Sequence, residues 1–312
     1  MKNLEVMKHS ATLEQLAGKG AVRWNVSMKP FTSMRVGGQA AALVEIANAD
    51  ILSQLLRFLS HDGIPRAVLG NGSNLIVADE GYQGVLLHIA SGLSRMQVLE
   101  DGIDAEAGAL LGSVAKLALV NGFAGLEFAS GIPGSLGGAV AMNAGAYGRE
   151  MKDVVKTTSC LDKNGESVIL HGADHCFGYR HSFIQSQNLI AVSARLQLKQ
   201  GLPESILEQM KDFAARRADK QPLDYPSAGS TFKRPVGYFT GKLIEDCGLK
   251  GMRVGGAQVS EKHAGFIVNT GTATATDVVS LVQLIREKVM RETGIMLEPE
   301  IKLLKGDQIC SF

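Results

Sequence analysis

The stretch Ser130-Gly131-Ile132-Pro133-Gly134-Ser135-Leu136-Gly137-Gly138-Ala139-Val140-Ala141-Met142-Asn143-Ala144-Gly145-Ala146-Tyr147-Gly148 clusters glycines at 131, 134, 137 and 138. Each ordered glycine costs roughly 0.5–1 kcal/mol relative to alanine, so such a cluster points to close approach of backbone to a ligand. A turn of this kind can aim successive N–H groups at one point and hold phosphate oxygens without a cationic side chain. Pro133 fixes one φ within it. Taken alone, a tight structural loop between strands accounts for the cluster equally well.

A second polar turn, Gly70-Asn71-Gly72-Ser73-Asn74, lies about 60 residues upstream between the apolar runs Ala67-Val68-Leu69 and Leu75-Ile76-Val77. It is not a GxGxxG fingerprint, because Leu75 stands where that pattern needs glycine, and no GxxxxGK[ST] occurs anywhere. Two glycine-rich turns, each preceded by a short strand, could grip both ends of a long diphosphate ligand.

The rest of the chain is that of a globular protein of two or three domains: 312 residues, 45% hydrophobic, 20% charged, with a net charge of +1. No basic block tracks a nucleic-acid backbone or an acidic membrane surface. No signal-peptide pattern opens the chain and no membrane-length apolar run occurs, so the expected location is the cytoplasm. Cys160, Cys176, Cys247 and Cys310 form no CxxC pair, which favours reduced, mostly packed thiols over disulfides or a metal site.

Along the chain, residues 1–20 read as a short helix or arm. Asp50 can cap a helix carrying Leu52, Leu55, Leu56 and Leu59. Strands are expected at Ala42–Ile46, Val85–Ile89, Met96–Leu99, Ile103–Ala107, Val154–Leu161, Ser167–Leu170, Phe177–Phe183 and Leu189–Leu198, with a small helix at Ser113–Val120. Ser205 can cap a helix with Ile206, Leu207, Met210 and Phe213 on one face. Arg216, Arg217 and Lys220 at its end could meet a phosphate or favour the negative end of the helix dipole. Pro226 to Pro235 forms a stiff loop exposing Ser230 beside Lys233 and Arg234, and without a GxSxG elbow Ser230 reads first as a turn hydroxyl. Arg180, flanked by Tyr179 and Phe183, suits a carboxylate or simple packing on rings. A lone His263 reads as structural. A last helix carries Val278, Leu281, Val282, Ile285 and Val289 and stops at Gly294. The run Met296–Leu304 reads as a strand with Glu298, Glu300 and Lys302 on one exposed face.

Taken in order, Gly70–Asn74, Ser130–Gly148, Tyr179-Arg180, Gly229-Ser230-Thr231-Phe232-Lys233 and Leu297-Glu298-Pro299-Glu300 resemble the UDP-N-acetylenolpyruvoylglucosamine reductase family, over roughly residues 20 to 305. The resemblance implies an α+β architecture: an FAD-binding fold of the vanillyl-alcohol-oxidase (PCMH) type, made of two αβ subdomains, plus a separate αβ substrate-binding domain. The expected divisions are 1–20 as an arm, 21–90 and 91–201 as the FAD subdomains, 202–296 as the substrate domain and 297–312 as a strand returning to the active site. It further implies FAD and NADPH as cofactors and a small sugar-nucleotide substrate, with no metal, nucleic acid or membrane partner. A monomer is compatible with all of this.

By the same resemblance, FAD falls to Gly70, Asn71, Gly72, Ser73, Asn74 and Leu75 in one turn, and to Ser130, Gly131, Ile132, Pro133, Gly134, Gly137, Gly138, Asn143, Ala144 and Gly145 in the other. Arg180 and Glu300 would stabilise an enolate-like intermediate, and Ser230 would protonate its α carbon, with Lys233 the nearest cation in sequence. Between Arg180 and Ser230 the chain is too short for the tyrosine-lid segment of the family's longer form. Arg216, Lys220, Lys233 and Arg234 are then the candidates for the substrate diphosphate, and Tyr179 is a further substrate-binding candidate. Two rival readings are a flavin oxidase of the same fold and a non-catalytic nucleotide-binding protein.

Overall fold

The structure, a computed structural model, describes residues 3–310. Three sheets carry the architecture. The first is built around the long strand Leu75–His88, which runs parallel to Gln39–Glu45 on one side. Its other side pairs with Lys302–Gly306 near its start and with Arg66–Leu69 near its end, both parallel. Val22–Ser27 and Gln308–Cys310 flank the sheet antiparallel. Side chains of Leu75–His88 alternate between cores, as strand geometry requires: Val85 and Leu87 enter the large core shared with the second sheet, and Val77, Tyr82 and Leu86 a smaller one.

The second sheet is antiparallel throughout, in the order Ser167–His171, Val155–Leu161, Ile190–Gln197, Gly102–Glu106, Met96–Leu99. The helix Leu111–Val120 and the short helix Leu136–Ala141 bury Val114, Ala115, Leu136 and Val140 in the same core. The third sheet, Ser227–Ser230, Phe266–Asn269, Ala257–Val259 and Arg253–Val254, is backed by helices Thr240–Asp246 and Ala275–Thr293. The latter buries Val278, Leu281, Val282, Ile285 and Val289, begins in a capping box between Thr274 and Asp277, and ends at Gly294 with φ 72°. Met34, Val36, Ile76 and Leu303 join this core, so the third unit rests on the first sheet.

Several expected elements form differently. Phe177–Phe183 is not a strand: Cys176 and Arg180 have φ of 44° and 55°, which break extended backbone, only a Gly178–His181 bridge remains, and Phe183 opens the short helix Phe183–Ser186. Helix Ala49–His61 is capped by Asn48, whose side chain accepts from the Ile51 amide at 2.9 Å, and Asp50 lies inside the first turn. Helix Pro203–Lys220 starts at Leu202 with Pro203 in the first turn, so Ser205 caps nothing. The final run becomes a strand only from Lys302, and before it Pro299 makes one bridge to Phe232. The expected arm holds two helices, Asn3–Lys8 and Ser10–Ala17, with Leu13 and Ala17 buried. Residues 1 and 2 lie outside the described chain. Cys160 and Cys247 are buried and Cys176 is exposed.

Candidate active site

The two glycine-rich turns face each other. The Asn71 side chain donates to the Pro133 carbonyl at 2.8 Å, and a Cβ on Gly70 would come within 2.5 Å of the Ser135 hydroxyl. At Gly72, φ is 60° and a Cβ would sit 1.9 Å from the Phe31 carbonyl oxygen, so no other residue fits without moving backbone. The backbone amides of Asn71, Gly72, Ser73 and Asn74 donate to no protein acceptor among the described residues, and neither do those of Gly131, Ser135 and Gly138. Backbone donors seldom go unpaired, and two turns leaving theirs free across a shared gap form a cradle suited to a diphosphate.

The second turn is less open than its composition suggests. The amides of Ser130, Ile132, Gly134, Leu136 and Gly137 are already bonded to protein carbonyls, and Gly137 is needed because a Cβ there would lie 2.7 Å from that of Ala107. Asn143 is fully buried and its side chain is internally committed: it donates to Glu150 and to the Gly178 carbonyl, and it accepts from the Lys152 amide. Its side chain therefore braces the Arg180 turn and offers a ligand nothing. Ala144 and Gly145 are paired with Ala139 and Glu150, and Gly145 gives its carbonyl to Arg180.

Arg180, Ser230 and Glu300, far apart in sequence, line one cleft of about 410 Å³. Arg180 Nε donates to Glu300 Oε1 at 2.7 Å, its Nη2 reaches the Gly145 carbonyl at 3.2 Å, and the Tyr179 ring lies beside the guanidinium. The pair is mostly buried, with 18% and 14% of the two side chains exposed. Burial lifts the Glu300 carboxyl above its ordinary range, and Arg180, then Lys233 and Lys302, pull in the opposite direction.

Glu300 is held from three sides. Its amide donates to the Thr231 carbonyl at 2.9 Å, its carbonyl accepts from the Asn74 side chain at 3.2 Å, and its carboxyl takes Arg180. One residue thus joins the first glycine turn, the Ser230 segment and the arginine. The reading of Glu298 and Glu300 as one exposed face fails here, since Glu298 turns outward to Lys233 with 68% of its side chain exposed. Ser230 ends a strand bulged between Ser227 and Ser230, with Gly229 at φ 77°. Its hydroxyl is exposed to the cleft and has no protein partner among the described residues.

The remaining expected substrate residues divide. Tyr179 and Arg234 line the cleft, with the Arg234 amide donating to the Tyr179 hydroxyl at 3.1 Å. Lys233 is drawn to Glu298 and Arg216 to Asp212, and Lys220 is exposed, with none of these three in the cleft wall. The wall also contains Phe239, Lys242, Glu245, Lys262 and His263, which the sequence reading did not assign to the site. Burial lowers the basicity of His263, and its Nδ1 accepts from the Gly265 amide at 3.0 Å. Arg217, whose basicity burial also lowers, packs beside Gly131 of the second glycine-rich turn. Among the described residues no cluster of three or more metal-ligating side chains occurs, and no helix is long and apolar enough to cross a membrane.

Residues 40–171 match the family model described as an FAD binding domain, and residues 221–304 match the C-terminal domain of UDP-N-acetylenolpyruvoylglucosamine reductase. The chain is 48% identical to the UDP-N-acetylenolpyruvoylglucosamine reductase of Caldanaerobacter subterraneus subsp. tengcongensis, over 94% of this chain and 96% of that one. It is 45% identical to the enzyme of the same name from Clostridioides difficile, over 95% and 97%. The crystal structure of UDP-N-acetylenolpyruvylglucosamine reductase from Thermus caldophilus superposes with a TM-score of 0.77 at 36% identity, covering 89% of this chain and 97% of that one.

Proposed function

The chain belongs to the UDP-N-acetylenolpyruvoylglucosamine reductase family, and we propose that Arg180, Ser230 and Glu300 carry the family's reaction here. It is an FAD-dependent oxidoreductase that uses NADPH to reduce UDP-N-acetyl-3-O-enolpyruvylglucosamine to UDP-N-acetylmuramate in peptidoglycan precursor synthesis. When bound, FAD relays two electrons from NADPH to the enolpyruvyl group.

The residues present suit that cofactor: the free amides of Asn71–Asn74, with those of Gly131, Ser135 and Gly138, would take its diphosphate, and Asn74 links the cradle to the catalytic cleft. As the enol-ether carbon β to the carboxylate is reduced, negative charge gathers on the α carbon and the carboxylate. Arg180 meets that charge with its guanidinium. Glu300 accepts from Arg180 at Oε1, which leaves Oε2 to carry a proton and donate it in a hydrogen bond. Ser230, with an unpartnered hydroxyl facing the cleft, delivers a proton to the α carbon. The observation that carries the assignment is Glu300 bonded at once to Asn74, Thr231 and Arg180.

The enzyme works in the cytoplasm on a small sugar-nucleotide substrate, with no nucleic acid or membrane partner, and supports cell-wall growth, cell shape and division through its product. Anaerobic mixing with NADPH and then with the enolpyruvyl substrate tests the assignment at the flavin absorbance band. Bleaching followed by substrate-dependent return of colour is expected. Colour that returns only on admitting oxygen would make the protein an oxidase of the same fold.

A further inference from the structure

The cleft contains an aromatic surface that proton transfer and charge stabilisation leave unused. Phe239 stands in its wall with 65% of its surface exposed, so the ring contributes little to any core. The Arg234 guanidinium lies 3.9 Å from the ring centroid. Arg234 is fixed there by two bonds, its Nε donating to the Tyr238 carbonyl at 3.0 Å and its amide to the Tyr179 hydroxyl at 3.1 Å. No carboxylate pairs with it among the described residues. Lys262, also in the wall, donates to the Ala218 carbonyl and likewise has no carboxylate partner there.

This part of the cleft therefore combines a ring that Arg234 covers on one side and that is otherwise largely open with a guanidinium that has no carboxylate partner among the described residues. Those are the two features a nucleoside diphosphate needs, a flat surface for its base and cations for its phosphates. The cation–π contact joins Arg234 to one side of Phe239, and it leaves most of the residue, 65% exposed, open to the cleft.

We propose that Phe239 is the stacking platform for the nucleobase of the sugar-nucleotide substrate, with Arg234 held against the ring to meet the diphosphate. The proposal rests on the reductase reading of this cleft and adds to it a residue that selects the nucleotide end of the substrate. UDP alone is the probe, titrated into the FAD-loaded enzyme and its Phe239→Leu and Phe239→Tyr variants and followed by calorimetry. Leucine keeps the apolar bulk and removes the ring. Base stacking on an aromatic side chain predicts UDP binding weakened about 5-fold to 150-fold in the leucine variant and nearly restored in the tyrosine variant. Leucine binding UDP as tightly as phenylalanine, or tyrosine as weakly as leucine, overturns the platform and leaves the reductase reading intact. A wild-type enzyme that does not bind UDP at all overturns the platform before any substitution is made, and the flavin half-reactions with the enolpyruvyl substrate decide the reductase reading separately.

Discussion

The two halves of the active site are made from different materials. The proposed cofactor cradle is backbone, built on two glycine-rich turns and presenting the unpaired amides of Asn71–Asn74, Gly131, Ser135 and Gly138. The substrate cleft is side chain, with Arg180, Ser230, Glu300, Arg234 and His263 contributed by separate segments. A backbone site tolerates exchange of polar side chains but not of the glycine that lets two strands of chain approach. A side-chain site behaves in the opposite way, and substitutions in the two regions should fail by different readouts.

The largest effect separates the two most sharply. Ser230→Ala should leave bleaching of the flavin by NADPH intact while slowing its reoxidation by the enolpyruvyl substrate by about 10²–10⁴-fold, the usual worth of a positioned acid. Stopped-flow traces of the two half-reactions show this directly, and bleaching slowed to the same degree would remove Ser230 from proton delivery. Gly72→Ala should act on the other half, with loss of bound flavin and a fall in stability of about 1–3 kcal/mol from a Cβ placed against the Phe31 carbonyl at positive φ. Flavin content and urea denaturation measure it, while Asn71→Ala, which removes one side-chain bond, should change both far less.

Glu300 lies where the regions meet, and its titration sharpens the comparison. Burial raises its folded-state pKa above the unfolded value, so the native state holds the proton to higher pH than the unfolded chain. Wild-type protein should therefore lose stability relative to Glu300→Gln as pH rises from about 4.5 through the raised pKa, and the difference should level off above it. Arg180→Ala removes the strongest opposing pull and should extend that window upward, as read by denaturation over a pH series. The smallest effect lies outside both regions: Asn48→Ala should cost about 1 kcal/mol through the lost helix cap, Asp50→Ala less, and neither should alter the flavin spectrum.

The same contrast explains what could be read from the residues alone. Glycine clusters are local, so both turns stood out before their partners were known, although composition could not reveal that Gly137 is packing or that Asn143 is internally bonded. The cleft has no local pattern. Arg180 sits in a segment whose hydrophobic alternation mimics a strand, and its left-handed φ is set by tertiary contacts with Asn143 and Glu300. Phe239, Lys262 and His263 fall in stretches ordinary for a domain surface, and only the tertiary folding of the third unit brings them to one wall. Helix positions followed from apolar spacing, but the starts did not: Asn48 caps one helix by its side chain, and the other begins at Leu202 with no side-chain cap and Pro203 in its first turn.

The pairing of Lys302–Gly306 with Leu75–Val77 also bears on how the molecule is made. A seam joining residues more than 200 positions apart carries a large loop-closure cost and cannot zip until the intervening unit has been synthesised and folded. Until then the growing polypeptide leaves one edge of its first sheet bare on the ribosome, open to mispairing with neighbouring chains. The first sheet is thus completed by a strand made more than 200 residues after its partner.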